Sequence, residues 1–423
     1  METFPPIPEW ITLEHQVATI LTTQENHGWY FDERSARKLE STLRQELEET
    51  HKLLRNRFPF VAGSLFTPKR DNRTQGYVKG AQSTRLKEFN PTSRDHIAWI
   101  LKTHCDWKPK LLTASEKAVI DETVLKDIGT DISLSFLRCL ELTKQLGMIS
   151  EGKNAWQKLV TTSSRIHHHC SVGCATHRAS HRNPNLAQVP SNERFRRLFT
   201  ATPGMVMVGA DLSGIELRML AHYLARYDGG RYADILLNGD IHQENADKIG
   251  ISRRQVKTVT YAFLYGAGDQ KIGTSFDDSL GETQSKRKGK EIRKAFVDAI
   301  PGLSDLLKGV KRAAERGYVR GLDGRHISVD KGHVALNYLL QGSAAIIAKR
   351  WLVLANDHSQ QMSLCCNQLA FIHDELQYES HPEDVGDLKS LLVLSAAEAG
   401  EYYNMRIPVG AEAKDGPTWA DTH

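Results

Sequence analysis

Two apolar runs in the 423-residue chain each end on a carboxylate, and they lie far apart in the sequence. The first runs from Val206 to Gly214 and contains Asp211, and the second runs from Leu369 to Glu379 and contains Asp374. Short apolar runs predict buried strands, so each aspartate is expected at a strand end beside a polar cleft. Two carboxylates held in this way can bind a pair of Mg²⁺ ions about 3.5–4 Å apart, as two-metal phosphoryl transfer requires. Strand-end aspartates also cap and form turns, and for the pair alone that alternative stays open.

The segment between the two aspartates, Ser252 to Gly268, adds a second signal. Every fourth residue along one face of the helix predicted here is cationic or aromatic: Arg253, Lys257, Tyr261 and Tyr265. Ser252 is expected to cap the N-terminus of this helix, and Gly266 and Gly268 are expected to end it. Cations suit the phosphates of a nucleoside triphosphate, and aromatic rings suit its sugar or base. A solvated helix with its tyrosines in the core is the alternative.

Together the three segments resemble DNA polymerase family A, which contains bacterial polymerase I and the replicative polymerases of short-tailed bacteriophages. The sequence DLSGIELRMLAHYL, beginning at Asp211, resembles the first motif of the family, and RRQVKTVTYAFLYG resembles the second. The triplet HDE that contains Asp374 resembles the third. The resemblance implies catalytic roles for Asp211, Asp374 and Glu375. It also implies that Asp211, Asp374 and the carbonyl of Leu212 are metal ligands.

The resemblance also implies a nucleotide site. Glu216 falls at the position that excludes ribonucleotides, and the segment NGDIH at 238–242 matches a fingers segment whose histidine contacts phosphate. Arg253 and Lys257 would bind the triphosphate, Tyr261 would meet the deoxyribose, and Tyr265 would lie near the templating base. The implied nucleotide-binding residues are therefore Glu216, His242, Arg253, Lys257, Tyr261 and Tyr265.

DNA contacts follow from similar segments. NPNLAQVP at 183–190 follows the triplet THR, and NYLLQ at 337–341 fits a helix that contacts duplex DNA in this family. The implied DNA-binding residues are Arg178, Asn337, Gln341 and His373. His177 departs from the pattern because the family usually has glycine there. DGPTW at 415–419 ends the chain as phage members end.

The fold class that the resemblance implies is α+β, a right-hand polymerase with an antiparallel-sheet palm, helical fingers and a helical thumb. We expect residues 1–164 to form the thumb and the N-terminal part of the core, and 165–230 the palm with the first metal motif. Residues 231–331 are expected to form the fingers, and 332–423 the palm with the second metal motif and the C-terminus. The expected cofactor is Mg²⁺ as two ions, with Mn²⁺ able to replace it. The expected partners are primer-template DNA and dNTPs.

Two other classes are weighed against this reading. A single-subunit RNA polymerase would share the palm aspartates, but it lacks the carboxylate at Glu216 and the glutamate that follows Asp374. A non-catalytic protein that only binds primer-template DNA would have no need for two metal carboxylates. No D-x-E pair, typical of the family's proofreading nuclease, occurs in the 423 residues. The chain is therefore expected to lack 3′→5′ exonuclease activity and to rely on a separate exonuclease or processivity factor.

Composition agrees with this reading without establishing it. Lys and Arg number 55 against 51 Asp and Glu, a formal charge of +4 that is too small to indicate nucleic-acid binding. No apolar run approaches the roughly 20 residues of a membrane span and no signal peptide is evident, so a cytoplasmic protein without a membrane partner is expected, in the host bacterium if phage-encoded. The six cysteines are expected to be reduced.

Two further segments leave alternatives open. The stretch 59–90 is expected to be irregular, and its cations predict either a contact with duplex phosphates or an unspecific solvated loop. The array Cys170, Cys174, His177 and His181 offers zinc-type ligands, but its two ligand pairs are separated by only two residues. Local hydrogen bonding or contact with DNA is the favoured reading of this array.

Overall fold

The computed structural model describes residues 6–109, 111–277 and 280–423. The chain divides into two compact units, one of residues 1–33 and 159–423 and the other of residues 34–158. The helices, in chain order, are α1 Glu9–His27, α2 Glu33–Arg57, α3 Arg94–His104, α4 Glu122–Ile128, α5 Asp131–Leu146, α6 Trp156–Leu159, α7 Glu193–Arg196, α8 Ile215–Asp228, α9 Arg231–Asn238, α10 Ile241–Ile249, α11 Arg253–Leu264, α12 Asp269–Phe276, α13 Glu282–Ala299, α14 Leu303–Ala314, α15 Ala335–Gln361 and α16 Val385–Tyr402. The strands are β1 Trp29–Phe31, β2 Phe60–Phe66, β3 Ser83–Glu88, β4 Arg165–Ile166, β5 His169–Ser171, β6 Ser180–Arg182, β7 Phe199–Thr200, β8 Val206–Leu212, β9 Tyr318–Arg320, β10 His326–Ser328, β11 Cys366–Ile372, β12 Glu375–Ser380 and β13 Ala411–Gly416.

The larger unit is built on a four-stranded sheet in the order β11–β12–β8–β13. Each neighbouring pair is antiparallel, and both predicted apolar runs are confirmed as strands. Asp211 is the penultimate residue of β8, whereas Asp374 lies in the two-residue turn between β11 and β12. The fold class predicted from the sequence, α+β with an antiparallel sheet among helices, is confirmed.

Helix α15 forms the centre of the larger unit. It is apolar on nearly all sides and buried along most of its length, as expected for a helix surrounded by other elements. Trp351 on α15 is fully buried, and its indole N–H donates to the carbonyl of Leu392 on α16 at 2.8 Å. The same core includes the inward residues of β8 and β12, so the sheet that carries the two aspartates is packed against rigid helices.

The C-terminal segment is packed against the sheet through Trp419. The Trp419 ring lies 5.0 Å from that of Trp29 and 5.7 Å from that of Phe199, between centroids. Further on, a Cβ at Gly209 of β8 would lie 2.6 Å from the carbonyl oxygen of Thr422, so only glycine lets the last residues approach this closely. These contacts bring the chain's last residues to the end of β8 that carries Asp211.

A buried ion network joins α1 to α15 within the same unit. The Lys349 ammonium is fully buried and donates to both carboxylate oxygens of Glu14, each at 2.7 Å. Arg325, in the turn that leads into β10, also donates to Glu14. A buried cation needs such a partner, because an uncompensated buried charge costs several kcal/mol.

The smaller unit, residues 34–158, has its own core around Phe89, Ile97 and Phe136. The expectation of an irregular stretch at 59–90 is wrong, because β2 and β3 form an antiparallel hairpin there. The pairing shifts register between Ala62 and Leu65, and this bulge breaks the alternation by which strands are recognised in a sequence. Strand β3 is mostly exposed, so it lacks an apolar face as well.

The cysteines and the length of the helices agree with the expectations drawn from composition. The six cysteines are free thiols, as expected. Among the described helices, none combines the length and the apolar character that crossing a membrane requires.

Candidate active site

Three carboxylates meet at one end of the four-stranded sheet. Asp211 and Glu375 are paired across β8 and β12, and Asp374 immediately precedes Glu375. The backbone N–H of Leu212 donates to the carbonyl of Asp374 at 3.0 Å, which closes the sheet at this end. His373 has φ +60°, a left-handed conformation that lets the chain turn sharply before Asp374. The structure therefore brings together the residues predicted to be catalytic.

Glu375 is the most firmly held of the three carboxylates. It is 4% exposed, and its Oε1 accepts from the indole N–H of Trp419 at 2.5 Å and from the amide of Gln377 at 2.8 Å. The Nδ1 of His423 lies 3.2 Å from Oε2. Burial alone raises the pKa of Glu375, but the hydrogen bonds from His423, Trp419 and Gln377 outweigh burial and lower it. Glu375 is therefore a fixed, ionised carboxylate.

In contrast to Glu375, the two aspartates have raised pKa values. The pKa of Asp211 is raised to about 6, first by burial and then by the charge of Glu375. The pKa of Asp374 is raised to about 7, first by burial and then by the charge of Glu216. Carboxylates crowded in this way favour binding of a cation, because a divalent ion relieves the repulsion that otherwise keeps a proton on them. The donor set thus fits the Mg²⁺ that the sequence predicts.

The grouping of ligand atoms differs in one respect from the predicted metal ligands. Within the described residues, Asp211, Glu375 and His423 offer ligand atoms that all lie within 4.8 Å of one another. Asp374, predicted as the second ligand, is outside that group. His423 was not singled out from the sequence, and its Nδ1 lies 3.4 Å from Oδ2 of Asp211. Only the tertiary packing of the C-terminal segment brings it there.

Arg196 is a second residue that the sequence did not point to. Its guanidinium lies 4.7 Å from the centre of the Trp419 ring, and the side chain is 9% exposed. Its Nε and Nη1 are buried without a hydrogen-bond partner among the described residues. Its positive charge lowers the pKa of Asp211 and so partly opposes the effect of burial there. Arg196 therefore acts as a counter-charge behind the carboxylates.

Glu216 lies at the centre of a second cluster. It lies in the first turn of α8, and its Oε1 accepts from the guanidinium of Arg178 at 2.7 Å and from the hydroxyl of Tyr265 at 3.2 Å. The carboxylate of Glu216, the residue predicted to exclude ribonucleotides, thus joins Arg178, a predicted DNA contact, to Tyr265, which is predicted to lie near the templating base.

Helix α11 carries the predicted triphosphate face. The capping box between Ser252 and Gln255 is present, and the helix ends at Leu264, two residues before Gly266. Arg253 and Lys257 are exposed, and the Arg253 Nε donates to Asp240 at 2.6 Å. Tyr261 is half-buried. The exposed cations and the half-buried ring thus share one surface of this helix.

Nearby residues complete that surface. The ring of His242 on α10 lies 6.3 Å from that of Tyr261, and burial lowers the pKa of His242, so its imidazole is neutral near pH 7. Tyr265 follows the last helical residue of α11 and is 50% exposed. The six residues predicted to bind nucleotide therefore form two contiguous clusters, one on α10 and α11 and one around Glu216.

The remaining predicted DNA contacts are spread along α15 and the turn before Asp374. The Asn337 side chain is buried and donates to the carbonyl of Leu264 at 2.8 Å, which ties α15 to the end of α11. Gln341 is half-buried one turn further along α15. His373 packs edge-on against His181, with ring centroids 6.1 Å apart. The structure does not gather these residues into one cluster.

The Cys/His array does not form a metal site in the part of the chain that the structure describes. The groups of ligand atoms found there do not include Cys170, Cys174, His177 or His181. Burial raises the pKa of the Cys170 thiol to about 12, so this thiol is protonated near neutral pH. His181 stacks on His168 with centroids 6.0 Å apart. Of the array, His181 therefore packs between the rings of His168 and His373.

A four-stranded antiparallel sheet with carboxylates at one end, set among helices, is the architecture of the right-hand polymerases. Residues 66–421 match the model of DNA polymerase family A, and the chain belongs to this family. It is a DNA-directed DNA polymerase and hence a nucleotidyltransferase. This assignment decides against both the single-subunit RNA polymerase and the non-catalytic alternative.

The relatives include phage and bacterial enzymes. The chain is 31% identical to the DNA-directed DNA polymerase of Escherichia phage T7, over 98% of this chain and 70% of that one, and the enzyme of Enterobacteria phage T3 gives the same figures. It is 28% identical to DNA polymerase I of Pseudomonas aeruginosa, over 80% of this chain and 39% of that one. Among solved structures, the fold is similar to the polymerase domain of Pol1 from M. smegmatis, solved in complex with DNA primer-template and dNTP. The TM-score is 0.79 at 20% identity, over 97% of this chain and 70% of that one.

Proposed function

We propose that this polymerase extends a DNA primer on a DNA template with dNTPs by two-metal phosphoryl transfer, with Mg²⁺ as the ion and Mn²⁺ able to replace it. The observation that carries the proposal is the meeting of Asp211, Asp374 and Glu375 at one end of a rigid sheet. Phosphoryl transfer needs little covalent help from the protein, because positioning and charge stabilisation supply most of the catalysis. A fixed cluster of carboxylates is suited to that task.

Asp211 and Asp374, with the carbonyl of Leu212, would hold the ions. When bound, the ions would activate the primer 3′-hydroxyl and neutralise the departing pyrophosphate. Glu375 is anchored by Trp419 and supports the position of Asp211 across the strand pair. It therefore contributes less to the chemistry than either aspartate.

The nucleotide would bind along α10 and α11. Arg253 and Lys257 would hold the triphosphate through charge-assisted hydrogen bonds. Arg253 is paired with exposed Asp240. If a phosphate of the nucleotide replaced this carboxylate, the positive charge of Arg253 would still be neutralised. His242 is neutral and can donate or accept a hydrogen bond beside Tyr261, which would pack on the deoxyribose. Glu216 would exclude the 2′-hydroxyl of a ribonucleotide by occupying its space.

Primer-template DNA would contact the cluster around Glu216 and the helix α15. Arg178 is bound to Glu216, so a primer contact by Arg178 would replace or share that hydrogen bond. Tyr265 is half exposed, and its ring would turn towards a templating base by giving up the hydrogen bond from its hydroxyl to Glu216. Asn337, Gln341 and His373 complete the proposed DNA set, with Asn337 also holding α11 in place.

The domain roles follow as part of the same proposal. Residues 1–164 would form the thumb and the start of the core, 231–331 the fingers, and 165–230 with 332–423 the palm. Since the relatives named above include phage enzymes, we propose that the protein acts in the cytoplasm of a bacterial host. A separate exonuclease or processivity factor would complete the replication apparatus.

Primer extension tests the central part of this proposal. Purified protein should extend a labelled primer with dNTPs and Mg²⁺, should use rNTPs far less well, and should stop when the ions are chelated. The control is an Asp305→Asn variant, which changes an exposed carboxylate on α14 and should extend normally. Extension that persists in chelator would refute the metal-dependent mechanism.

The absence of proofreading is tested separately. A 3′-mismatched, end-labelled primer incubated with Mg²⁺ and no dNTPs should keep its length. Shortening that disappears in an Asp211→Ala, Asp374→Ala double variant would reveal nuclease chemistry at these carboxylates and contradict the proposal. Shortening that survives the double variant would contradict it as well, by indicating a second nuclease site in the chain.

A further inference from the structure

A row of polar side chains runs through the interior of the larger unit and ends beside Asp374. Its six members lie on β12, β11, α1, the residue before β5, β6 and the turn after β11, and they are called the polar row: Tyr378, Gln368, Gln24, His168, His181 and His373. All but Gln368 and His373 are buried, at 7% exposed or less. Because buried polar groups need hydrogen-bond partners, the direction of each bond can be followed from one member to the next.

The first half of the polar row is joined by direct hydrogen bonds. The Tyr378 hydroxyl donates to Oε1 of Gln368 at 3.3 Å, and Nε2 of Gln368 donates to Oε1 of Gln24 at 2.7 Å. Nε2 of Gln24 lies 3.1 Å from Nε2 of His168. Because an amide nitrogen can only donate, this ring nitrogen of His168 accepts. Burial lowers the pKa of His168 to about 3, so its ring is neutral and its one N–H is at Nδ1.

Tyr378 fixes the direction of these hydrogen bonds. Burial raises the pKa of its hydroxyl, which therefore keeps its proton, and Gln368 is its acceptor among the described residues. In the opposite direction both glutamine amides would be reversed, and the hydroxyl hydrogen of Tyr378 would face an amide nitrogen instead of an oxygen. A buried donor without an acceptor is strongly disfavoured. The donors therefore point from Tyr378 towards His168.

The second half of the polar row consists of three imidazoles that no direct hydrogen bond joins in the part of the chain that the structure describes. The ring centroids of His168 and His181 are 6.0 Å apart, and those of His181 and His373 are 6.1 Å apart. Four ring nitrogens are buried without a partner among the described residues: Nδ1 of His168, Nδ1 and Nε2 of His181, and Nδ1 of His373. Buried water commonly bridges polar groups at such spacing, and two gaps with two nitrogens each suit one water apiece.

We propose that the polar row, with a bridging water in each gap, fixes the tautomer of His373 and that His181 is thereby a positioning residue for DNA binding. A neutral imidazole accepts at one nitrogen and donates at the other, so the direction set by Tyr378 passes through His168 and His181. Nδ1 of His373 then accepts, and its Nε2 carries the proton. Burial lowers the pKa of His181 to about 4 and also lowers that of His373, which keeps both rings neutral.

The tautomer of His373 matters because DNA presents mainly acceptors to a protein. These are the phosphate oxygens and, in the minor groove, the N3 and O2 atoms of the bases. The inference rests on the proposed function, in which His373 contacts DNA. His373 is half-buried with Nδ1 on the buried side, so Nε2 is the nitrogen left for DNA. With its proton on Nδ1, His373 would present a lone pair to these acceptors and repel them.

The tautomer can be measured on the full chain without DNA and without activity. Long-range ¹H–¹⁵N correlation spectra of protein labelled with ¹⁵N-histidine show which ring nitrogen carries the proton, and His373→Phe identifies the His373 signals. At neutral pH we expect the proton of His373 on Nε2 in the wild type. His181→Phe keeps an aromatic ring in place but removes both ring nitrogens, and should move a substantial share of that proton to Nδ1. A wild-type His373 with its proton on Nδ1 would overturn the inference.

His222→Phe is the matched control for His181→Phe. His222 is 6% exposed and burial lowers its pKa to about 4, as for His181. It lies on α8, where its Nδ1 accepts the backbone N–H of Arg406, outside the polar row. The control should leave the tautomer of His373 unchanged. An equal shift of the tautomer in both variants would overturn the inference.

Gln24→Met is a second variant that leaves all three imidazoles in place. Methionine is close to glutamine in length, but it cannot donate to Nε2 of His168, so the direction of the polar row is lost. The tautomer of His373 should shift in the same sense as in His181→Phe. Circular dichroism establishes which variants fold, and an unchanged tautomer in either folded variant would overturn the inference.

Dissociation constants for primer-template connect the tautomer to DNA binding. His181→Phe and His373→Phe should each weaken binding by about 3- to 10-fold, as expected for the loss of one hydrogen bond. The double variant should bind no more weakly than His373→Phe alone, because His181 acts through His373. Multiplied effects in that double variant would overturn the inference. Loss of extension by the wild type would sink the proposed function instead, while the spectra would still decide on the tautomer.

Discussion

Replacing Asp374 by asparagine should stabilise the metal-free protein while abolishing its activity. The pKa of Asp374 is raised to about 7 by burial and by Glu216, whereas an aspartate in an unfolded chain titrates near 3.9. A difference of about 3 units at about 1.4 kcal/mol per unit gives an upper bound of about 4 kcal/mol. Since the side chain still reaches solvent, we expect roughly half of this, about 2 kcal/mol, in favour of the variant at pH 8.

Proton linkage determines how the stability difference between Asp374→Asn and the wild type depends on pH. A carboxyl whose folded-state pKa is raised stabilises the folded state in its protonated form, and that stability is complete below the unfolded pKa and is lost as pH rises to about 7. At pH 8 the wild type therefore carries an unfavourable buried charge that asparagine lacks. The advantage of Asp374→Asn should shrink steadily as the pH is lowered from 7 to 4, where both side chains are neutral.

Thermal unfolding in chelator at several pH values is the assay. With an unfolding entropy of about 2.1 cal/mol/K per residue, 2 kcal/mol in a chain of this length corresponds to about 2 °C in Tm. Mg²⁺ at ten times its dissociation constant should stabilise the wild type by about 1.4 kcal/mol and the variant by less. Asp305→Asn is the matched control and should shift neither Tm nor its pH dependence. A Tm for Asp374→Asn at or below that of the wild type at pH 8 would contradict the raised pKa of Asp374 and its origin in burial and the charge of Glu216.

Three other substitutions test separate parts of the account. Glu216→Ala should raise the ratio of kcat/KM for rNTP over dNTP, because the space for a 2′-hydroxyl opens. An unchanged ratio would show that Glu216 does not exclude ribonucleotides. Tyr261→Phe should selectively lower dideoxynucleotide incorporation, because the tyrosine hydroxyl would replace the hydrogen bond of the missing 3′-hydroxyl. Equal discrimination between dideoxynucleotides and dNTPs by the wild type and the variant would exclude that role. Glu14→Gln should destabilise the fold by about 3 kcal/mol in chemical denaturation, because the buried Lys349 ammonium loses its charged partner. A loss below about 1 kcal/mol would show that Lys349 is readily neutralised.

Local signals in the sequence were sufficient for the elements that carry the predicted site. The first apolar run is strand β8, the second spans β11 and β12, and Ser252 forms the capping box of α11. These features depend on residues within a few positions of one another, which is why a sequence can reveal them. Gly266 ends α11 as predicted: it has φ +71° and follows the capping residue Tyr265, and its N–H donates to the carbonyl of Phe263 at 3.0 Å.

Features that depend on distant contacts were not recognised. His423 and Trp419 reach the carboxylates because the C-terminal segment packs over Gly209 and against Trp29, and the guanidinium of Arg196 on α7 stacks on the Trp419 ring. Nothing in their local sequence indicates that destination. The compact units divide near residues 33 and 158, since the first helix packs with the larger unit, and such a division depends on contacts between distant segments.

Single-turnover extension by Asp211→Ala and Asp374→Ala tests the central claim most directly. Each variant is mixed with saturating primer-template, dNTP and Mg²⁺, and its DNA affinity is measured in parallel. Both should lose at least a thousandfold in rate while their affinity for DNA stays within a few-fold of the wild type, because the carboxylates serve the chemistry and cations supply most of the grip on DNA. A variant that retains a tenth of the wild-type rate, or that loses activity only by losing DNA, would contradict the assignment of that aspartate.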